Sequence, residues 1–401
     1  MADYDVDILI VGGGLTGASL LLALADAGLK TLLVETNPFS EHTHPDFDAR
    51  SLALSPASVR ILQMLKVWPG LCESLTAIET IQVSEQHCFG KARLYSEPNN
   101  PLGYVVEMQH ISAALHSMLP PECVLAPAEL TAINPTDGNV SISRATGDIT
   151  VKAQLIVAAD GVKSTVRTLC RVETKNKPYE QSAVVANIGL ARPHQHQAFE
   201  RFSQSGLLAL LPLKGLRASL VWALPSRDAE HLARLPERDF LMALQRDFGY
   251  QLGRFTRVGQ RLIYPLQQVV VSQHVMGRVV FVGNAAHTLH PVAGQGFNLG
   301  LRDVAMLAQC IIHHGLNPGM LDTYQASRHH DQTSITRLTD GLIELFTSQI
   351  PGLPFARSAG LMVLDNIPLF KNLLTRYARG FAGTIPDLVC GIPLSEEETN
   401  P

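Results

Sequence analysis

The sequence has no pair of cysteines at CxxC spacing. Its six cysteines stand apart, at positions 72, 88, 123, 170, 310 and 390, which argues against a zinc ribbon or a dithiol redox motif. It has no basic block either. Lys and Arg total 32 against 36 Asp and Glu, a formal net charge of −4, so nucleic acid is not an expected partner. No uninterrupted apolar run is long enough to span a bilayer. The run from Ile8 to Leu24 follows an acidic "MADYDVD" and is broken by "GGGLTG", so it does not read as a signal peptide. Scattered cysteines without an export signal suggest a reducing cytosol, and the expected location is cytoplasmic, with at most peripheral contact with the inner membrane. Charged residues make up 17% and apolar residues 46% of the 401 positions, enough for two or three packed units with a large core.

"VDILIVGGGLTGASLLLALADAGLKTLLVE" is an apolar strand, a glycine loop, a helix-forming run that stops at Gly28, and a second strand ending in Glu35. Gly12, Gly14 and Gly17 make GxGxxG, the dinucleotide spacing of a βαβ unit. Gly12 permits the tight turn, Gly14 lets the backbone approach a pyrophosphate, and Gly17 allows close helix–strand packing. The helix start, with Leu15 and Thr16, offers free N–H groups to the phosphates. Glu35 stands where a carboxylate accepts from a ribose diol and repels a 2′-phosphate, so FAD or NAD is favoured over NADP at this site.

"AQLIVAADGVKSTVRTLC" is a second apolar strand, Leu155 to Ala158, running into Asp160-Gly161, with Ser164 and Arg167 on a helical turn. A turn plus a helix cap is an equal reading of those residues. From about 178 to 270 the pattern becomes strand-like, with hairpin signals such as "LKGLR"; an antiparallel sheet is expected there, and the stretch 78–95 is expected to add to it. Near the chain end, "VVFVGNAAHTLHPVAGQGFNLGLRD" is again strand, turn, glycine loop and helix start, without the lysine of a P-loop. After Arg302 the chain reads as helical. "PFARSAGLMVLDNIPLFKNLLTRYARGFAG" mixes apolar residues with Arg357, Lys371, Arg376 and Arg379, and is read as packing on the core with its charges solvated rather than lying on a membrane.

"GGGLTG…Glu35", "AADGVKSTVR" and "GNAAHTLHPVAGQGFNLGLRD", in this order, resemble the three fingerprints of the class A flavoprotein aromatic hydroxylases, the para-hydroxybenzoate hydroxylase-like family. "HPDFDARSLALS", "YEQSAVVANI" and "FERFSQSGLLALLPL" resemble its ubiquinone-biosynthesis branch, the 2-octaprenyl-6-methoxyphenol hydroxylase group in particular. The resemblance implies an α/β fold: a Rossmann-like FAD-binding domain of glutathione-reductase type with an inserted antiparallel β-sheet substrate domain and a helical C-terminal region. The expected division is 1–77, 100–177 and 275–325 for FAD, 78–99 and 178–274 for substrate, and 326–401 for the helical region.

By the same resemblance, Gly283 and Asn284 reach the ribityl chain or pyrophosphate, and Gly294, Gln295, Gly296, Phe297 and Asn298 meet the pyrimidine edge of the isoalloxazine. Phe297 and Asn298 offer helix N-terminal N–H groups to the charge of a reduced flavin. The family's usual Gly-Asp is here Gly283-Asn284, which keeps a hydrogen-bond acceptor and loses a charge. Arg50 and Gln109 match positions beside the cofactor. Asp160, Gly161 and Arg167 match a motif that serves FAD and reduced nicotinamide. Pro291 matches a proline lining the reaction pocket, and with His290 it is the candidate catalytic pair, although His287 and His290 are read first as loop histidines bonded to backbone.

The implied reaction is ring hydroxylation of a polyprenyl phenol. NADPH or NADH reduces the flavin, which captures O2 as a C4a-hydroperoxide; water must be excluded and the ring held close. Phe202, Leu208, Leu210 and Trp222 are candidates for an apolar roof, with plain core as the equal alternative. No metal constellation is expected. A lipid-tailed substrate would be met at a membrane or through other ubiquinone-biosynthesis proteins. Competing readings are a flavin hydroxylase of another small aromatic, a flavin halogenase, whose WxWxIP motif is missing around Trp68 and Trp222, and a non-catalytic FAD-bound subunit of a biosynthetic complex.

Overall fold

The computed structural model describes residues 3–39, 50–203, 206–289, 295–348, 353–367, 375, 379–381 and 383–394. Strand Tyr4–Val11 lies between Thr31–Val34 and Ile149–Ala158, parallel to both. Ile8, Leu9 and Ile10 are fully buried, because helices and loops cover both faces of a parallel sheet and leave no solvent side for polar residues. The sheet runs Val275–Met276, Val279–Phe281, Ile149–Ala158, Tyr4–Val11, Thr31–Val34, Val124–Leu125. Asn139–Ser143 pairs antiparallel with Ile149–Ala158, and Glu129–Ile133 pairs antiparallel with Asn139–Ser143.

The register brings the three glycine motifs together. Val11 pairs with Ala158, and Ala158 with Phe281. Three parallel strands, far apart in the chain, therefore end side by side, and their loops leave from one edge, where open α/β sheets bind ligands. Helices Leu15–Ala23 and Gln295–His314 pack together over that edge, burying Leu20, Leu21, Leu301, Val304 and Leu307 in one core.

A second sheet is built around the long strand Thr174–Leu190, with Arg217–Pro225 on one side and Leu262–Val271 on the other. Gly206–Leu213, Gln197–Ser203, Thr80–Glu85 and Lys91–Tyr95 continue it outward, and His287–Thr288 closes the opposite edge. The strands at 80–95 join this sheet as the sequence suggests. Strand character does not fill 178–270, however: helices Ser226–Arg234 and Glu237–Phe248 lie within it. Phe240, Leu244 and Phe248 cover the face carrying Val184, Leu208, Leu210 and Trp222. A short sheet of Ser51–Leu54, Gly103–Glu107 and Thr76–Ile78 completes the strand layout.

Helix Pro318–Thr347 starts at Asn317, whose side chain accepts from Met320 N at 3.0 Å, an N-cap followed by proline in the first turn. Helix Leu353–Asn366 packs on the Thr80–Glu85/Lys91–Tyr95 hairpin, and the Phe202 and Phe346 rings stack with centroids 3.8 Å apart. Packing on the core is thus observed for this part of the C-terminal region, with one correction. Arg357 is not solvated: it is 6% exposed, with Nε 3.1 Å from Glu85 Oε2 and Nη2 bonded to Glu85 Oε1. Lys371 and Arg376 lie outside the described residues. Among the described residues no helix is long and apolar enough to cross a membrane.

Candidate active site

At the first motif, a Cβ on Gly12 (φ +105°) would lie 2.6 Å from Ala159 O, and one on Gly17 would lie 1.9 Å from Gly12 O. Both glycines are required by the protein's own backbone. Gly14 differs: a Cβ there meets nothing within 4 Å, and the helix that begins after it has no side-chain cap. Beside this helix start lies an open cleft of about 300 Å³ lined by Gly12, Gly14, Glu35, Glu129, Asp160, Gly161 and Thr165. Glu35 Oε2 accepts from Gly13 N at 2.7 Å and Oε1 from Asn37 N at 2.8 Å. Asp160 Oδ2 caps Val166 N at 3.0 Å, while its buried Oδ1 has no partner. Leu15 and Thr16 open the helix, and Gly161 has φ +81°.

Arg167 lies between the motifs. Its Nη1 donates to Ala285 O at 3.0 Å and Nη2 to Val162 O at 2.6 Å, so it braces the Asp160-Gly161 loop against the third motif. Thr16 packs on Gly283, with its side chain within 3.5 Å of where a Cβ on Gly283 would be, and a Cβ on Gly300 would lie 3.3 Å from Gly283 Cα, which locks the first and third motifs together.

Gly283 has φ +56°, a left-handed turn that only glycine adopts without strain, and it presents Asn284 exposed to a second cavity. Helix Gln295–His314 begins at the far side of this loop, and a Cβ on Gly296 would meet nothing within 4 Å, so the backbone there is open to a flat ring. The Asn298 side chain is fully engaged: Oδ1 accepts from Ser55 N at 2.8 Å and Ser58 Oγ at 2.7 Å, and Nδ2 donates to Ala53 O at 2.9 Å. Arg50 Nη1 lies 3.3 Å from the Tyr264 hydroxyl and its carbonyl accepts from Met108 N. Gln109, next in the chain, has a buried Oε1 without a partner. His290, Pro291 and Gly294 lie outside the described residues. An open helix N-terminus, orphaned oxygens on Asp160 and Gln109, and glycines at points of close approach fit FAD laid from Glu35 to Phe297.

A buried charge network beneath the third motif was not anticipated. Asp303 Oδ2 accepts from Gly283 N at 3.0 Å and lies 2.6 Å from His287 Nε2; Oδ1 accepts from Arg328 Nε at 2.7 Å and Gln332 Nε2 at 3.1 Å. Arg328 and Arg302 both bond to Asp331. Burial would raise the Asp303 carboxyl, but His287 and Arg328 outweigh it and hold it well below the usual carboxylate range. His287 therefore bonds a carboxylate, not backbone as expected. The sequence signal was the ionic pair Arg302-Asp303 inside an apolar helix, echoed by Arg328 and Asp331 one turn apart.

The second cavity has a volume of about 800 Å³ and is walled mostly by apolar side chains. Asn284, Phe297, Asn298 and Ser51 form one part of its wall, Ala209, Leu211 and Val221 the sheet wall, and Phe346, Gly360 and Leu361 another. Of the four candidates for the roof only Phe202 lines it; Leu208, Leu210 and Trp222 belong to the core on the other side of the sheet. Side chains alternate along a strand, so the neighbours Ala209, Leu211 and Val221 face the cavity instead. Among the described residues no group of three or more His, Cys, Asp or Glu could hold a metal ion.

Residues 5–339 match the model of the FAD binding domain family. The chain belongs to this family. The hydroxylase is 35% identical over 410 residues to the ubiquinone hydroxylase UbiL of Rhodospirillum rubrum, covering 98% of this chain and 94% of that protein. It is 30% identical over 396 residues to the 3-demethoxyubiquinol 3-hydroxylase of Escherichia coli, covering 95% of this chain and 100% of that protein. The crystal structure of p-nitrophenol 4-monooxygenase PnpA from Pseudomonas putida superposes with a TM-score of 0.78 at 17% identity, over 95% of this chain and 99% of that one. At that identity the likeness shows the fold alone.

Proposed function

We propose that the hydroxylase adds an oxygen atom to the ring of a polyprenylated phenol of ubiquinone biosynthesis, with FAD bound and with NAD(P)H and O2 as co-substrates. The observation that carries this is the apolar cavity of about 800 Å³ that opens directly onto Asn284, Gly296 and Phe297, the residues at the flavin end of the cleft. Identity across nearly the whole chain to proteins named ubiquinone hydroxylase and 3-demethoxyubiquinol 3-hydroxylase supports the substrate class.

In this reading Gly12, Gly14, Leu15, Thr16, Gly17 and Glu35 hold the adenosine diphosphate half of FAD. Arg50, Gln109, Asp160, Gly161, Gly283, Asn284 and the backbone from Gly294 to Asn298 hold the rest, with Pro291 and His290 at the reacting face. Arg167 positions two of these loops. The body formed by 1–77, 100–177 and 275–325 carries the cofactor, 78–99 and 178–274 carry the substrate wall, and the helical region 326–401 adds Phe346 and Leu361 to that wall. Bound FAD supplies the redox chemistry that activates O2 with electrons from NAD(P)H. The chain's own part is to bind, orient and exclude water. Ala209, Leu211 and Val221 offer no hydrogen bonds, so a phenol is held by shape and the site stays dry. The N–H groups at the start of helix Gln295–His314, which have no acceptor within the helix, favour negative charge at the flavin edge.

The test is turnover of FAD-loaded protein with NADPH, 18O2 and a prenylated phenol, read by mass spectrometry. A product carrying one 18O supports the reading. FAD-loaded protein that neither oxidises NADPH in response to any prenylated phenol tried nor yields a labelled product would remove it and leave the non-catalytic subunit in front.

A further inference from the structure

We infer that the part of the cavity between helix Leu353–Asn366 and the hairpin Thr80–Glu85/Lys91–Tyr95 is a subsite for an isoprenoid chain, and that Gly360 holds its passage open. The inference rests on the proposed function and names the part of the cavity that takes the tail. His287–Thr288 and this hairpin occupy opposite edges of the second sheet, so the subsite lies across the sheet from the flavin motif. A cavity of about 800 Å³ falls in the range of roughly 300–1,000 Å³ that encloses a drug-sized molecule, more than a single phenol ring fills.

Its chemistry is apolar. Ala92, Phe202, Phe346 and Leu361 are buried there in one cluster with Val83 against them, and all five line the cavity. The charged groups in this wall are already engaged: Arg357 with Glu85 and with the carbonyls of Leu345 and Ser348, and Glu200 with a partner of its own. Nothing there calls for a polar head, and a branched hydrocarbon is the ligand that such a wall accepts. Ala356, Gly360 and Val363 recur on one face of the helix and line the cavity. A Cβ on Gly360 meets nothing within 4 Å. Gly360 is exposed, so a larger side chain at 360 would stand in the mouth of this passage instead of the core, and any residue but proline is a better helix former than glycine.

The experiment titrates FAD-loaded protein, by calorimetry, with a phenol carrying a farnesyl group and with the same phenol carrying a methyl group. Wild type should bind the farnesyl phenol at least about tenfold more tightly. Gly360→Phe should lower the farnesyl affinity at least about tenfold and leave the methyl phenol and the FAD content unchanged, while Gly360→Ala should behave as wild type. If Gly360→Phe does not fold, Ala356→Phe blocks the same passage and carries the same expectation. The inference is overturned if wild type does not distinguish the two phenols, or if the blocking variant weakens both equally or neither. Should the tail preference and its loss appear while neither phenol is hydroxylated, the proposed reaction falls and the subsite stands.

Discussion

Asp303 Oδ2 holds two points of one turn: it accepts from Gly283 N at 3.0 Å and lies 2.6 Å from His287 Nε2. The turn between them carries Asn284 into the cavity. The other oxygen is fixed by Arg328 and Gln332 from helix Pro318–Thr347. A second helix thus sets the shape of the turn that carries Asn284, through a carboxylate that is fully buried.

Replacing Asp303 by Asn keeps the shape and removes the charge. His287 and Arg328 then face a neutral amide in a buried site, and breaking a buried ion pair costs about 3–5 kcal/mol. We expect a denaturation midpoint lowered accordingly and FAD lost on gel filtration. An unchanged midpoint with full FAD occupancy would show that the network is dispensable.

His274 predicts how stability follows pH. Burial lowers its imidazole to about 4, with Asp303 opposing the shift and His287, Arg328 and His329 adding to it. The unfolded chain takes up this proton near pH 6.5 and the folded chain only near 4, so in that window the unfolded state binds more protons and stability falls as pH falls. The loss is on the order of 3 kcal/mol by pH 4. The His274→Phe variant should lack that part of the slope. Parallel curves of wild type and variant between pH 7 and 4 would contradict the assignment.

The sheet edge where the three motifs meet was legible because its chain signals are local. GxGxxG, Glu35, Asp160-Gly161 and Gly283-Asn284 each sit within a short strand–loop–helix, and strand Thr31–Val34 has the bounds read from the sequence. What was hidden is what depends on partners distant in the chain. Arg357 looks like a solvated charge until Glu85, 272 residues away, is brought against it. Leu208 and Ala209 are neighbours, and apolarity marks Leu208 as the better pocket residue. Which face meets the helices and which meets the cavity is decided by pairing register, and a single sequence does not show it.

The glycines of the first motif separate two requirements. Gly17→Ala puts a methyl 1.9 Å from Gly12 O, so both the fold and the cofactor should suffer. Gly14→Ala adds a methyl in open space, so the protein should fold with an unchanged far-ultraviolet spectrum yet bind FAD at least about tenfold more weakly, because the backbone can no longer approach the pyrophosphate. Wild-type FAD affinity in Gly14→Ala would move the cofactor away from this helix.

Two faces of one sheet should give opposite phenotypes. Trp222→Ala empties the core against Phe240, at a cost of about 3–5 kcal/mol, and should leave KM for the phenol close to wild type in whatever fraction is folded. Ala209→Leu grows into the cavity and should raise KM with little change in stability. Measuring KM and the denaturation midpoint on both variants checks the assignment of faces, and the reverse pattern would invert it.

The Arg357–Glu85 pair ties helix Leu353–Asn366 to the hairpin that carries part of the cavity wall. Both side chains are buried, at 3% exposure for Arg357 and 6% for Glu85, so Arg357→Met leaves Glu85 as an unpaired buried charge and frees the carbonyls of Leu345 and Ser348. A loss of about 3–5 kcal/mol is expected, with a rise in KM, since Phe346 and Leu361 depend on the same packing. The double variant Glu85→Leu/Arg357→Met removes both charges and should recover much of the stability, because apolar replacement of a buried pair is often close to neutral. KM separates the role of the pair from its stability. A recovered midpoint with KM still raised would mean that the ion pair sets the position of the helix over the cavity. Recovery of both would mean that any well-packed contact there suffices.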